Sequence, residues 1–499
     1  MANPSLQIGN SNWAIKEDNL LGYSTAGTRF VPQPITMTRA SAGTRVNSSG
    51  LVETVELLGG EEVTNGDFAT DSDWTKGTGW TISGGSASCD GTQSSNSNIY
   101  QVAYVSGKTY KTIISVTSIT GTLNVFTGSS SQTITITSAG EYEVVYTSTT
   151  TTMYLQATAS SVCSIDNVSV KESTKNNLAR VDYDGTASSL LVEPERTNLV
   201  TYSSDFSQWS EIEGALVTSN SVISPSGETN SDKFTFDGTT YGRVEKNIAV
   251  TNGNTYTFSV YLKNNNLSDV TQVWLGFSMG GQGEFVTITN EWQRYETVQV
   301  ANGSNEYPRV QFTGTGSLYA WGSQMEQGSF STSYIPTDGG TVTRVQDQYS
   351  KTGISNLINS EEGVLFLEVA ALSNDLSYRR ISLNDSSVNN KVGISYDDVS
   401  NRIRGQVVIG GVNIFLFFTS TDITEYSKIA LKYKANDFAL WVDGFERDTD
   451  ISAGVLPSNT LNNLSFDNGG GGNNFFGKVK QLQVFKTALT DPELVTLTT

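Results

Sequence analysis

"VSGKTYKTIISV" spans residues 105–116, and "VTNGNTYTFSV" spans 250–260. Both contain Gly-x-Thr-Tyr, at 107–110 and 253–256, and both run on into alternating apolar and polar residues. A period of two sends successive side chains to opposite faces of a strand. A glycine turn ahead of such a run marks the entry to a strand. Two copies of this entry in one chain predict a repeated β-domain.

The copies extend both ways. Upstream, "TNGDFATDSDW" (64–74) and "TYSSDFSQW" (201–209) each place Asp-Phe shortly before Trp. Downstream come "GEYEVVYTS" (140–148) and "NEWQRYETVQV" (290–300), then "CSIDNVSVKE" (163–172) and "SLYAWGSQMEQG" (317–328). A unit of this length, built of short strands, reads as a β-sandwich present twice. The remainder also alternates, as in "GVLFLEVAAL" (363–372), "RIRGQVVIG" (402–410) and "NDFALWVDG" (436–444). Helix signals are limited to short pieces such as "TDPEL" (490–494). The fold class is therefore all-β: tandem β-sandwich or jelly-roll domains followed by a C-terminal sandwich.

Five segments follow. Residues 1–60 read as a leader without a core of its own. Residues 61–172 form the first sandwich, 173–199 a connector, 200–347 the second sandwich and 348–499 the C-terminal sandwich. "YIPTDGGTVTR" (334–344) and "FVPQPITMTR" (30–39) share one shape and read as punctuation at domain joints. The proline cannot continue a central ladder, Asp-Gly-Gly permits a turn, and Arg344 is free to meet a carboxylate.

Composition narrows function. The 499-residue chain has 16% charged residues, a net charge of −19 and no histidine. A nucleic-acid partner would need a basic stripe, and an acidic surface also disfavours anionic membranes. Without histidine there is no Ser-His-Asp or Cys-His nucleophile and no His-ligated metal. Cys89 and Cys163 are too few for a disulfide-stapled scaffold. They stand either as one bridge within the first sandwich or as two buried thiols. No apolar run approaches the roughly 18 residues of a membrane span, and the N-terminus has no signal-peptide pattern. These features suggest a protein made without a secretory signal that acts at an outer surface.

"TMTRASAGTRVNSSGLVETV" (36–55), "ARVDYDG" (179–185) and "SLLVEPERTNLVTYSSDF" (189–206) together resemble a leader of bacteriophage structural proteins, here split by residues 61–172. That split implies that the first sandwich is inserted into one continuous module. "LYAWGSQMEQGSFSTSYIPTDGGTVTRVQD" (318–347) resembles the closing signature of a phage-borne, carbohydrate-binding-like jelly roll. "ALWVDG" with "GKVKQLQVFKTALTDPELVTL" (477–497) resembles laminin-G-like or concanavalin A-like sandwiches. The resemblance implies a head fibre, tail fibre or decoration protein of a virion. It would be assembled in the host cytoplasm, displayed on the virion surface and attached to capsid or tail through 1–60. It would be a homo-oligomer, typically a trimer, that binds cell-surface glycans.

Sugar recognition needs aromatic rings exposed in a groove beside amides and carboxylates. The candidates are Trp74, Trp80, Trp209, Tyr241, Trp274, Trp441 and Asp443. Trp74 and Trp209, at matched repeat positions, read equally as packing residues. In the resembled jelly rolls the opening Asp-Phe turn and an Asp of the last strand hold a structural Ca2+, here Asp67 and Asp166. Asp205 has no such partner in the second copy, and turn-capping is the plainer role for all three. For catalysis, Glu193 with Glu195 and Glu361 with Glu362 lack the surroundings of a site, so no enzyme is expected. A polysaccharide depolymerase would instead need carboxylates that converge from distant positions, and a spacer without ligand would need its tryptophans buried.

Overall fold

The computed structural model describes residues 2–10, 13–15, 21–25, 29–32, 35–239, 241–266, 270–277 and 282–499, with side chains throughout except at 14–15, 21–25 and 29–32. Residues 33–34 of the first punctuation phrase, and the side chains of its residues 30–32, lie outside this description. The described chain is almost wholly β, with one 3-10 turn (Phe206–Gln208) and one α-helix (Asp491–Thr498). It divides into two compact units. One is Glu56–Lys175; the other is Met1–Val55 together with Asn176–Thr499.

Glu56–Lys175 is a two-sheet sandwich. One sheet runs Trp80–Ser83, Ser86–Asp90, Val162–Thr174, Thr109–Thr120, Gly140–Thr147, with Leu57–Glu61 added on Val162–Thr174. The other runs Ile134–Ile136, Leu123–Thr127, Thr152–Ala157, Ser97–Val102, Thr75–Lys76. Within the larger unit, the second sandwich repeats this order. Ala215–Val222, Ser231–Asp237, Thr315–Gln327, Thr255–Asn264 and Gln293–Val300 form one sheet. Gly283–Thr287, Gln272–Gly276, Arg309–Phe312, Gly242–Glu245 and Ser210–Ile212 form the other.

The repeated Gly-x-Thr-Tyr explains the common geometry. Gly107 and Gly253 take φ of 88° and 83°, a left-handed turn conformation that side chains disfavour. Each tyrosine then turns its hydroxyl back on the turn. Tyr110 accepts from the Val105 N–H at 2.9 Å, and Tyr256 from the Thr251 N–H at 2.9 Å. Both rings are buried.

The C-terminal sandwich packs an eight-stranded sheet on a seven-stranded one. Glu362–Ala371 lies in the first sheet, between Ser427–Lys434 and Gly477–Phe485. Two earlier expectations change here. Residues 1–60 are not a coreless leader in their described part. Leu6–Gly9 pairs with Gly477–Phe485, Thr36–Thr38 pairs with Gln348–Lys351, and Leu6, Ile8, Trp13 and Met37 join the C-terminal core. Nor is 173–199 only a connector, because Arg180–Asp184 and Ala187–Val192 extend the eight-stranded sheet. Val181, Leu190 and Val192 supply the apolar face that makes this favourable.

The punctuation phrases meet in the interior. Arg196–Asn198 pairs with Val342–Arg344. Arg39, Arg180 and Arg344 are buried and share two buried carboxylates, Glu193 and Asp347. Arg39 reaches Asp347 at 2.8 Å, Arg180 binds both Asp347 and Glu193, and Arg344 reaches Glu193 at 3.0 Å. Ser333 donates to Glu193 through its N–H at 2.6 Å and its hydroxyl at 2.7 Å. Burial alone would raise the Glu193 pKa, but Arg344, Arg180 and Ser333 hold it well below the usual carboxylate range. The Arg of each Thr-x-Thr-Arg is thus one arm of a lock that ties four separated phrases together.

Candidate functional site

Four of the candidate tryptophans are packing residues. Trp74 and Trp209 lie at equivalent places in the two sandwiches, tilted against Phe68 and Phe206 at 5.3 and 5.0 Å between ring centroids. Their indole N–H groups donate to the carbonyls of Asn65 (3.0 Å) and Tyr202 (3.1 Å). Trp80 is buried and donates to the Ser97 carbonyl at 3.1 Å. Trp441 does leave the core face taken by Phe438, Leu440 and Val442, but it is buried in a second cluster with Leu489 and with Leu494 of the C-terminal helix. None of these rings offers a face to a ligand. Asp443 is a turn residue with φ of 52°, and its carboxylate accepts the Lys428 N–H at 2.8 Å.

Trp274 and Tyr241 are placed differently. Val244, Val273, Leu275 and Val310 of the second sandwich point into its core. Their neighbours therefore line the opposite, solvent side of the five-stranded sheet. Register aligns Ile212, Arg243, Gln311, Trp274 and Phe285 in one row across all five strands. Phe285 is 70% exposed and Trp274 half-buried. The next row is Ser210, Glu245, Arg309, Gly276 and Gly283. The Trp274 indole lies across both glycines. A Cβ at Gly276 would sit 2.3 Å from its Cη2, and one at Gly283 2.4 Å from its Cζ2. Only glycine lets the ring settle on the backbone in this way. Glu245 ties down the rest of the row, accepting Arg243 at 3.0 Å and Arg309 at 3.2 Å. The Gln311 side chain makes no hydrogen bond among the described residues, which leaves its amide available beside the ring. Tyr241, 56% exposed, heads the strand that carries Arg243.

The equivalent face of Glu56–Lys175 went unnoticed in the sequence. Ile99, Val125 and Leu155 enter its core, so Tyr100, Phe126 and Tyr154 face outward. The register places Tyr154 between Tyr100 and Phe126. Ring centroids are 5.1 Å apart for Tyr100–Tyr154 and 6.4 Å for Phe126–Tyr154. Beside them runs an amide row of Asn98, Gln156 and Asn124. Gln156 and Gln311 hold the same place in the two copies. An open cleft of about 420 Å³ borders this face, lined by Lys76, Asn96, Asn98 and Tyr100 among others. The available signal was an aromatic at an outward position of "NIYQV" (98–102), "LNVFT" (123–127) and "TMYLQA" (152–157).

The remaining candidates have local roles. Asp67 accepts the Ala69 N–H at 3.3 Å. Among the described residues no group of three or more acidic, Cys or His side chains suited to a metal occurs. Cys89 and Cys163 face each other in register as free, buried thiols. Glu193 is locked to Arg180 and Arg344. Glu195 is the one carboxylate lining an open cleft of about 630 Å³ in the second sandwich. Glu362 pairs with Lys434 at 3.2 Å.

No protein-family model matches the sequence, and no curated protein matches it. Solved structures with partial likeness include the CBM40 of a Ruminococcus gnavus IT-sialidase, at 16% identity over 28% of this chain and 84% of that one, with a TM-score of 0.25. Domain 4 of AbnA, a GH43 extracellular arabinanase from Geobacillus stearothermophilus, shows 10% identity over 35% of this chain and 84% of that one, with a TM-score of 0.25. The CBM22-1–CBM22-2 tandem of Paenibacillus barcinonensis Xyn10C shows 12% identity over 58% of this chain and all (100%) of that one, with a TM-score of 0.23. Superposition this partial decides nothing about the present chain, whose all-β architecture stands on its own strand register.

Proposed function

We propose that this chain is a non-enzymatic, surface-displayed protein whose two repeated sandwiches bind glycans on the solvent faces of their five-stranded sheets. One observation carries the reading: the Trp274 indole spread across Gly276 and Gly283, with exposed Phe285 opposite and the Gln311 amide alongside. A ring held against the sheet in that way presents its other face to a pyranose, and an amide reads the hydroxyls. The Tyr100–Tyr154–Phe126 row with Asn98, Gln156 and Asn124 repeats the combination.

The phage-like phrases at 36–55, 179–206 and 318–347 support placement on a virion surface as a fibre or decoration protein. There the chain would be a homotrimer attached to other virion proteins. Asp67 and Asp166 would supply two carboxylates to a structural Ca2+ of the first sandwich, one that takes no part in sugar binding. The burial of Trp74, Trp80, Trp209 and Trp441 favours a second reading, in which the sandwiches are spacers without ligand.

A glycan array separates the two. The chain is expected to retain at least one oligosaccharide, unchanged by EDTA and without cleavage. Trp274→Ala should weaken that binding roughly tenfold, as for an aromatic anchor at the centre of an interface. Failure to bind any glycan supports the spacer, and release of cleaved sugar refutes the non-enzymatic reading.

A further inference from the structure

In the seven-stranded sheet of the C-terminal sandwich, Val392, Ile394, Ile403 and Val407 point into the core. Lys391, Gly393, Ser395, Arg404 and Gln406 therefore lie on the other face. Register sets Arg380, Ser395 and Arg404 side by side. The adjacent row is Ser382, Gly393 and Gln406, and Lys391 lies in the row beyond.

Among the described residues no carboxylate forms a salt bridge with any of these three cations. Arg380 is 4% exposed, Lys391 is 6% exposed and Arg404 is half-buried. Asp397, the carboxylate that acts on Arg380, is already held by Arg402 at 2.8 Å. Buried cations are ordinarily paired, because desolvation is otherwise uncompensated. The surroundings are unfinished as well. Nε of Arg380, Nε of Arg404 and Oε1 of Gln406 are buried without a partner. Gln406 uses its Nε2 on Asn413, which leaves Oε1 to accept. Gly393 keeps the centre of the face clear, since a Cβ there would meet Arg380 Cδ at 3.2 Å. Tyr378 and Phe418 flank the Arg404 guanidinium at 5.7 and 5.6 Å, and Phe418 is 42% exposed at the open side. Burial, then Arg380, then Arg404 push Lys391 down to about 8.

We propose that this face binds an oxyanion carried on a saccharide, a uronate carboxylate or a sulfate ester. The anion supplies the charge that Arg380, Lys391 and Arg404 lack. Gln406 Oε1 accepts from a sugar hydroxyl, and the rings beside Arg404 border the sugar. In a chain of net charge −19, three mutually repelling cations kept together need such a ligand more than they need one another. This site is distinct from the five-stranded faces, and Trp274→Ala leaves it intact, so the two readings fail independently.

The test is calorimetric titration of the full chain with four probes: a uronate oligosaccharide, a sulfated oligosaccharide, a neutral oligosaccharide and inorganic sulfate. An acidic oligosaccharide should bind, and more tightly than inorganic sulfate or the neutral sugar. Lys391→Met and Arg404→Met should each weaken it roughly tenfold or more, the loss expected for a hydrogen bond to a charged group. Lys391→Met replaces a buried charge by an apolar chain of similar shape, so thermal unfolding should show it at least as stable as the parent. Absence of anion binding, or binding unchanged in both variants, overturns the site. Inorganic sulfate binding as tightly as the acidic sugars overturns its assignment to saccharide.

Discussion

Glu193 receives two arginines and two Ser333 donors in a place that water does not reach. Glu193→Gln leaves Arg180 and Arg344 with one carboxylate, Asp347, shared among three guanidiniums. Breaking a buried pair from one side costs about 3–5 kcal/mol, and chemical denaturation should read a loss of that order. The acid limb follows in sign. Glu193 is depressed in the folded state, so its contribution is full above about pH 4.5, the ordinary value, and is lost as pH falls toward the folded value. Glu193→Gln should therefore flatten the fall in stability below pH 4.5. The repeated Thr-x-Thr-Arg was legible as a motif, and Arg344 was read as ready for a carboxylate. Its partner was not legible, because Glu193 reaches it only through pairing of Arg196–Asn198 with Val342–Arg344.

At the level of elements, alternation carried far. It separated Trp441 from Phe438, Leu440 and Val442, and those residues do occupy opposite faces. It could not say that the outer face is covered. The helix Asp491–Thr498 begins with a capping box from Thr490 and Glu493, yet nothing local states where it docks. Removing Asp491–Thr498 uncovers Trp441. The expected outcome is a red shift of tryptophan emission and a loss of about 2 kcal/mol from Leu494 alone. An unshifted spectrum would mean that other residues shield the indole. The same limit hid the aromatic row of the first sandwich. Tyr100, Phe126 and Tyr154 each stand alone in their strands, and only register brings them together.

For the whole molecule, the two copies of Gly-x-Thr-Tyr were enough to expect two like sandwiches, and their strand orders agree. The segments read as leader and connector were harder, because arginine, glutamate and proline look like solvent-exposed linker. Buried among matching charges, Arg39, Arg180 and Glu193 instead belong to the interior. The tryptophans drew attention as sugar platforms because of residue type, while exposure, which decides the matter, is set by packing. Trp274 and Tyr241 kept accessible positions, and the others did not. The most direct measurement is a crystal structure of the full chain with an oligosaccharide selected on the array. The expected result is a pyranose stacked on the Trp274 indole within hydrogen-bond reach of Gln311. Sugar bound elsewhere, with the Trp274–Phe285 face empty at saturating ligand, would contradict the account.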